Sequence, residues 1–508
     1  MNKPISLLLG IAAGSSVSAQ AQHDNRPNII LFLVDDMGWQ ETSVPFYKQK
    51  TLLNERYRTP NMERLARQGV KFTQAYACAI SSPSRCSLLS GMNAARHRVT
   101  NWTLKYNTQT DAKDPEIVPP DWNCNGIQPD TVTSEHDRHL TTLITALPQL
   151  LKDNGYYTIH CGKAHFGAQT TTGADPTSFG FQVNIAGGAN GAPASYLAQE
   201  DYGKGDFHVS GLEQYYARGT FLTEALTLEA LKAVGQPIAR RQPFFLYMSH
   251  YAVHIPIDKD MRFFPKYVRK GLSDKDAAYA SLVEGMDKSL GDIMDWLDKN
   301  DESKNTIIVF LGDNGGLATS QEWREGPLYT QNSPLKCGKG SMYEGGVRVP
   351  FMVKWDGVVK PDTRNNTSIM IEDLFPTLLH MAQVNDYKVP QIVDGKDMVP
   401  LLEGKNEAEF NKRSIIWNFP NIWGNTGPGI NLNCAIRQGD WKLIYNYETG
   451  EKELYNIPQD IGENNNLAHA NPSKVKELSS ILGKKLRQMN AQRPVVTATS
   501  KPCAWPDE

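Results

Sequence analysis

The strongest constraint on this chain's fold is a run of residues apolar at every position after the first, Asn28-Ile-Ile-Leu-Phe-Leu-Val34. An alternating pattern would leave one face in water. A continuous run puts both faces in protein, as in a central strand of a parallel sheet. Tyr156–Cys161, Pro243–Met248 and Thr306–Leu311 are similar runs, and helical spacing lies between them, most clearly at Leu282, Met286, Leu290, Ile293 and Leu297. Strands alternating with helices predict an α/β fold, a large mostly parallel sheet sandwiched by helices. The 508 residues also leave room for a smaller second unit. From about residue 406 the texture changes. Ala435–Tyr447 and Lys452–Ile457 read as short antiparallel strands and Pro472–Met489 as an amphipathic helix, so residues 23–405 are expected to form the main domain and 406–508 an α+β subdomain.

Each apolar run finishes in polar residues. Val34 leads into Asp35-Asp36, Leu311 into Gly-Asp313-Asn314, Cys161 into Gly-Lys163-Ala-His165, and Met248 into Ser-His250-Tyr-Ala-Val-His254. Open parallel sheets bind ligands beyond the carboxyl ends of their strands, so these endings are expected to share one crevice. An Asp-Asp pair after one strand is ordinarily a turn or a helix cap. A second strand ending in Asp-Asn makes a set of hard oxygen donors, which suits Ca²⁺ and, less well, Mg²⁺.

Residues 81–91 read Ser-Ser-Pro-Ser-Arg-Cys-Ser-Leu-Leu-Ser-Gly. Pro83 suits the first turn of a helix, Ser81 and Ser82 are cap candidates, and Leu88 and Leu89 open an apolar face. Ser81 would then sit at a helix N-terminus, which favours an anion, with Arg85 one turn later returning donors to the same spot. Serine first, proline third, then Ser-Arg and Leu-x-Ser-Gly closely resemble the signature of the type I, formylglycine-dependent sulfatases in their serine form. Cys78 and Cys86 lack that context.

Other segments carry the same resemblance in order, from about residue 27 to 490. Gly162-Lys163-x-His165 keeps a family pattern, although Ala164 and Phe166 replace the usual Trp and Leu. Lys336-Cys-Gly-Lys339-Gly-Ser-Met-Tyr-Glu-Gly-Gly-Val-Arg-Val-Pro350 matches the second lysine motif, with Lys336 as the alternative to Lys339. His254 before Ile-Pro matches the histidine near the leaving group, with His250 as runner-up. Arg437-x-Gly-Asp-Trp-Lys-Leu443 and Glu453-Leu-Tyr455 resemble the family's small C-terminal domain.

The resemblance implies an alkaline-phosphatase-like superfold and the hydrolysis of sulfate monoesters. One Ca²⁺ would be held by Asp35, Asp36, Asp313, Asn314 and the side chain at 81. Ser81 would be oxidised to Cα-formylglycine by a serine-type maturase. One hydroxyl of the hydrated aldehyde would attack sulfur to give a covalent sulfoenzyme. Arg85, Lys163 and Lys339 would neutralise the sulfate, His254 would protonate the departing alcohol, and His165 would help the second hydroxyl to expel sulfate. The competing readings are a phosphodiesterase or phosphonate monoester hydrolase of the same superfold, and an inactive sulfatase-like binding protein whose Ser81 stays unmodified. A two-zinc phosphatase would want Asp and His ligands where Gly-Asp-Asn-Gly-Gly stands here.

Composition narrows the setting. A net charge of −2 gives no reason to expect a nucleic-acid partner. Residues 1–22 hold Lys3, an apolar stretch from Ile5 to Ala13 and small residues before possible cuts after Ala19 or Ala21, which reads as a secretory signal peptide. No later stretch reaches membrane-spanning length. With the serine-type signature, that points to a Gram-negative periplasm and to glycan breakdown. The seven cysteines lack metal-ligand spacing, and no disulfide is assigned. The polar stretch 97–140, flanked by Arg96 and holding His97, Arg98, Asn101, Trp102, His136 and His139, reads as either a sugar-pocket wall or a surface loop. Asparagines in Trp417-Asn-Phe-Pro-Asn-Ile-Trp423 stand where many relatives have histidines and suggest an altered sugar subsite. The expected substrate is a sulfated glycan attacked in exo fashion, with a lean towards sulfated galactose or N-acetylgalactosamine.

Overall fold

A computed structural model describes residues 26–405 and 407–508. The signal-peptide expectation for residues 1–22 lies outside the described residues. The centre is a nine-stranded sheet. Its strands are β1 (Asn28–Val34), β2 (Val70–Tyr76), β3 (Tyr157–Gly162), β4 (Val183–Ile185), β5 (Phe244–Ser249), β6 (Thr306–Gly312), β7 (Arg348–Lys354), β8 (Thr363–Asn365) and β9 (Ile369–Met370). The order is β8-β2-β7-β6-β1-β5-β3-β4, with β9 also on β2. Only β7 runs against the others.

The four continuous runs are β1, β3, β5 and β6, neighbours at the middle of the sheet. In β1, β5 and β6 every residue is buried. Side chains alternate between faces, so β1 feeds two cores: Ile29, Leu31 and Leu33 into one, Ile30, Phe32 and Val34 into the other. The second core includes the buried face of a long helix, Asp274–Lys299, where Leu282, Met286, Leu290, Ile293 and Leu297 all lie.

A separate four-stranded antiparallel meander follows: β10 (Ser414–Phe419), β11 (Asn433–Gln438), β12 (Trp441–Asn446) and β13 (Lys452–Asn456). Leu478, Leu482 and Leu486 of the helix Pro472–Gln488 cover it. The short strand Ile117–Val118, within the polar stretch, pairs with Val495–Val496 near the C-terminus. All seven cysteines are unpaired and buried. Among the described residues no helix is long and apolar enough to cross a membrane.

Candidate active site

Register brings the functional residues together. Val34 pairs with Gly312, Leu33 with Ser249, and Gly162 with Ser249, so β1, β6, β5 and β3 end in one row. Asp35-Asp36, Asp313-Asn314, Lys163, His165 and His254 therefore leave the sheet at one edge. β2 points the same way and is followed by the helix Ser81–Ser90. The reversed β7 starts at this edge, so the loop before it delivers Lys339 to the same place.

Asp35, Asp36 and Asp313 are buried, with carboxylate oxygens all within 4.8 Å of one another. Ser81 Oγ donates towards Asp35 Oδ1 at 3.0 Å and Asn314 Oδ1 at 3.1 Å. Lys163 Nζ lies 2.6 Å from Asp35 Oδ2, and Lys339 Nζ 2.8 Å from Asp36 Oδ1. Burial pushes both carboxyls up. For Asp35 the nearby Lys163, and for Asp36 the nearby Lys339, leads the opposing charges that hold each below its ordinary value. Burial brings the Lys163 ammonium down to about 8 despite Asp35, whereas Asp36 and Asp35 overcome burial and raise Lys339. All-oxygen donors of high negative charge fit a hard cation.

Two histidines face the site with their tautomers fixed by backbone carbonyls. His165 Nε2 donates to Thr103 O at 2.8 Å, which leaves buried Nδ1 as a lone pair with no partner among the described residues. Burial, then Lys163, holds its pKa well below the ordinary value. His254 Nδ1 donates to Ile255 O at 2.8 Å, and Nε2 sits 3.7 Å from Asp36 Oδ2. Burial and Lys339 lower its pKa, partly offset by Asp36 and Asp35.

These groups form the floor of a pocket of about 610 Å³ lined by Ser81, Lys163, His165, His254 and Lys339. Two glycines make room. A Cβ on Gly191 would meet His165 Cε1 at 2.3 Å, and one on Gly340 (φ +85°) would meet Trp423 Cε3 at 2.4 Å.

The structure departs from several expectations. Ile80, not Ser81 or Ser82, is the N-cap, and no side chain caps this helix; Ser81 is its first residue. Ser82 Oγ instead accepts from Thr103 N. Arg85 turns to the carboxylate of Asp313. It is fully buried, with Nε and Nη2 on Asp313 Oδ2 at 3.0 and 2.8 Å and Nη1 on Ser249 Oγ and Lys163 O. It thus holds a metal-ligand candidate in place. Of the polar stretch, Trp102 alone of the named residues lines the pocket. Arg96 pairs with Asp394, Arg98 donates to Asn490 O, and His136 and His139 contact Thr170 O and Asn107. Asn418 accepts from Tyr447 and Asn421 donates to Asp111, and neither lines the pocket; Trp423 and Asn425 of the same region do.

Lys336 is directed away, donating to Glu463 O and lying 3.9 Å over the Tyr343 ring. His250 is buried against Phe32, 2.9 Å from Ser289 Oγ. Sequence reasoning missed Phe207 and the loop Leu317–Trp323, which also line the pocket. The loop's only signal was its place after Asp313-Asn314-Gly-Gly.

Acidic oxygens clustered at the carboxyl ends of a parallel sheet, facing two lysines and a helix-borne serine, define an ester hydrolase acting on a tetrahedral oxyanion. Comparison with known proteins makes this definite. The family model "Sulfatase" matches residues 27–384, and "N-sulphoglucosamine sulphohydrolase, C-terminal" matches 337–492. The chain belongs to the sulfatase family, with its alkaline-phosphatase-like fold, and is a sulfuric ester hydrolase. It is 31% identical to a sulfatase of Formosa agariphila across 92% of this chain and 90% of that one. It is 28% identical to human N-acetylgalactosamine-6-sulfatase across 90% and 84%. The crystal structure of Ps i-CgsB in complex with k-i-k-neocarrahexaose superposes with a TM-score of 0.67 at 25% identity, covering 91% of this chain and 93% of that one.

Proposed function

We propose that the protein is a carbohydrate sulfatase that uses Cα-formylglycine made from Ser81 and one bound Ca²⁺. The observation that carries this reading is the position of Ser81 Oγ, within 3.1 Å of Asp35 and Asn314 oxygens on the floor of a pocket that two lysines enter. When bound, Ca²⁺ supplies Lewis-acid polarisation of a sulfate oxygen, and the hydrated aldehyde at 81 supplies the attacking hydroxyl.

The chain's own residues do the rest. Arg85, Lys163 and Lys339 balance the three carboxylates. A divalent cation therefore leaves the site net positive, which favours an anionic ester. The two ammonium groups hold sulfate oxygens. His254, its Nδ1–H anchored on Ile255 O, presents Nε2 to the pocket and when protonated donates to the leaving oxygen. His165 offers Nδ1 as a base to the residue-81 hydroxyl.

A pocket this size suits one terminal sugar and an exo mode of action. Relatives named N-acetylgalactosamine-6-sulfatase support the lean to a sulfated N-acetylgalactosamine or galactose. The secretory leader read at residues 1–22 and the serine-type signature favour the periplasm of a Gram-negative bacterium. The test is to co-produce the chain with a serine-type maturase and compare sulfate and phosphate esters of one alcohol, with metal analysis. One calcium per chain and preference for sulfate support the reading; two zinc ions and preference for phosphate refute it.

A further inference from the structure

The pocket walls differ in chemistry from its floor. Trp102, Trp323, Trp423 and Phe207 line them, and all four are half-buried, so aromatic faces stay open to an occupant. Such faces take the C–H side of a sugar ring and offer nothing to an anion. Four carboxylate- or ammonium-bearing side chains line the pocket: Asp36, Lys163, Lys339 and Glu322. The first three belong to the reaction centre. Glu322 is exposed at the mouth, and it is negative.

The neighbouring cations are engaged elsewhere. Arg324, two residues after Glu322, is buried in an ion pair with Glu41, its guanidinium 3.8 Å from the Tyr279 ring centroid. That anchor also fixes the loop carrying Glu322 and Trp323. Lys105, three residues after Trp102, is paired at 2.9 Å with Asp206, next to Phe207.

We propose that this pocket takes a sugar whose only anionic group is the sulfate being removed, and that Glu322 turns away a second sulfate or a carboxylate on that sugar. The inference rests on the sulfatase reading above and adds a substrate class to it. A second anion would meet aromatic faces and the neutral Thr319, Ser320 and Asn425 on the walls, no lining lysine or arginine among the described residues beyond the reaction centre, and a carboxylate at the mouth.

The experiment uses the full-length, maturase-treated, calcium-loaded protein. It compares kcat/KM for a monosulfated hexose, the same hexose with a second sulfate, and an aryl sulfate. The expected result is a preference for the monosulfated sugar that Glu322→Gln narrows by roughly fivefold at low salt, and less as salt screens the charge. Glu322 is exposed, so the substitution leaves the fold in place. Aryl sulfate turnover with the disulfated sugar equal to or better than the monosulfated one overturns the inference and leaves the sulfatase reading standing. A ratio unmoved by Glu322→Gln removes Glu322 from it. No turnover of any sulfate ester contradicts the underlying reading.

Discussion

Four positions separate His250 from His254, and their surroundings give them different work. His250 is sealed against Phe32 and Ser289, whereas His254 opens onto the pocket. A sugar alkoxide is a strong base and needs a proton to leave; an activated aryl oxide does not. General acid catalysis is typically worth about 10²–10⁴-fold. His254→Ala is therefore expected to lose roughly that factor in kcat/KM on sugar sulfates and much less on nitrophenyl sulfate. His250→Ala should lower thermal stability without discriminating between leaving groups. Equal losses on both substrates for His254→Ala would mean that it binds sulfate and that another group is the acid.

Among the elements, the strands and the helix behind the nucleophile enclose neutral histidines. Burial brings His160 and His250 down to about 3 and His97 to about 4. Unfolded histidine titrates near 6.5. The unfolded chain thus takes up protons first as pH falls, so stability is complete above about pH 6.5 and is lost progressively towards pH 3–4. Each accounts for a loss on the order of 3–5 kcal/mol over that window. Denaturant unfolding as a function of pH should show this acid loss, and His160→Asn should flatten it. An unchanged acid limb would contradict the neutral, buried state.

The same elements show how far the sequence could be read. Doubly buried strands announce themselves by continuous apolar residues, so β1, β5 and β6 were legible, together with the polar residues that end them. β2 and β7 were not: Lys71 and Gln74, only half-buried, interrupt the one, and Arg348 and Pro350 the other, where Arg348 is buried through its ion pair with Glu344. Ligand candidates were legible because their spacing after a strand is fixed by the backbone. Arg85's orientation was not, since a long side chain's partner, here Asp313, is 228 residues away in sequence. Glu322 and Trp323 stand on a loop whose course depends on a buried ion pair with Glu41.

For the whole molecule, the antiparallel meander supports the reaction centre. Lys442 on β12, fully buried, bridges Glu344 and Glu463 at 3.0 Å each. Glu344, five residues after Lys339, opens the short helix Glu344–Val347, and its backbone N–H donates to Glu463. Lys442→Met leaves buried Glu463 without its ammonium partner beside Glu344, which keeps Arg348, and is expected to cost about 3–5 kcal/mol. Adding Glu463→Gln should recover part of that in thermal unfolding; no recovery would argue against charge as the cause. The reaction turns on one atom group at the middle of this assembly, the side chain at position 81. Mass spectrometry of the peptide spanning Ser81 and Arg85, from protein with measured sulfatase activity, tests it most directly. The expected result is an aldehyde at residue 81, two hydrogens lighter than serine, in proportion to activity. Full activity with unmodified serine there would contradict it.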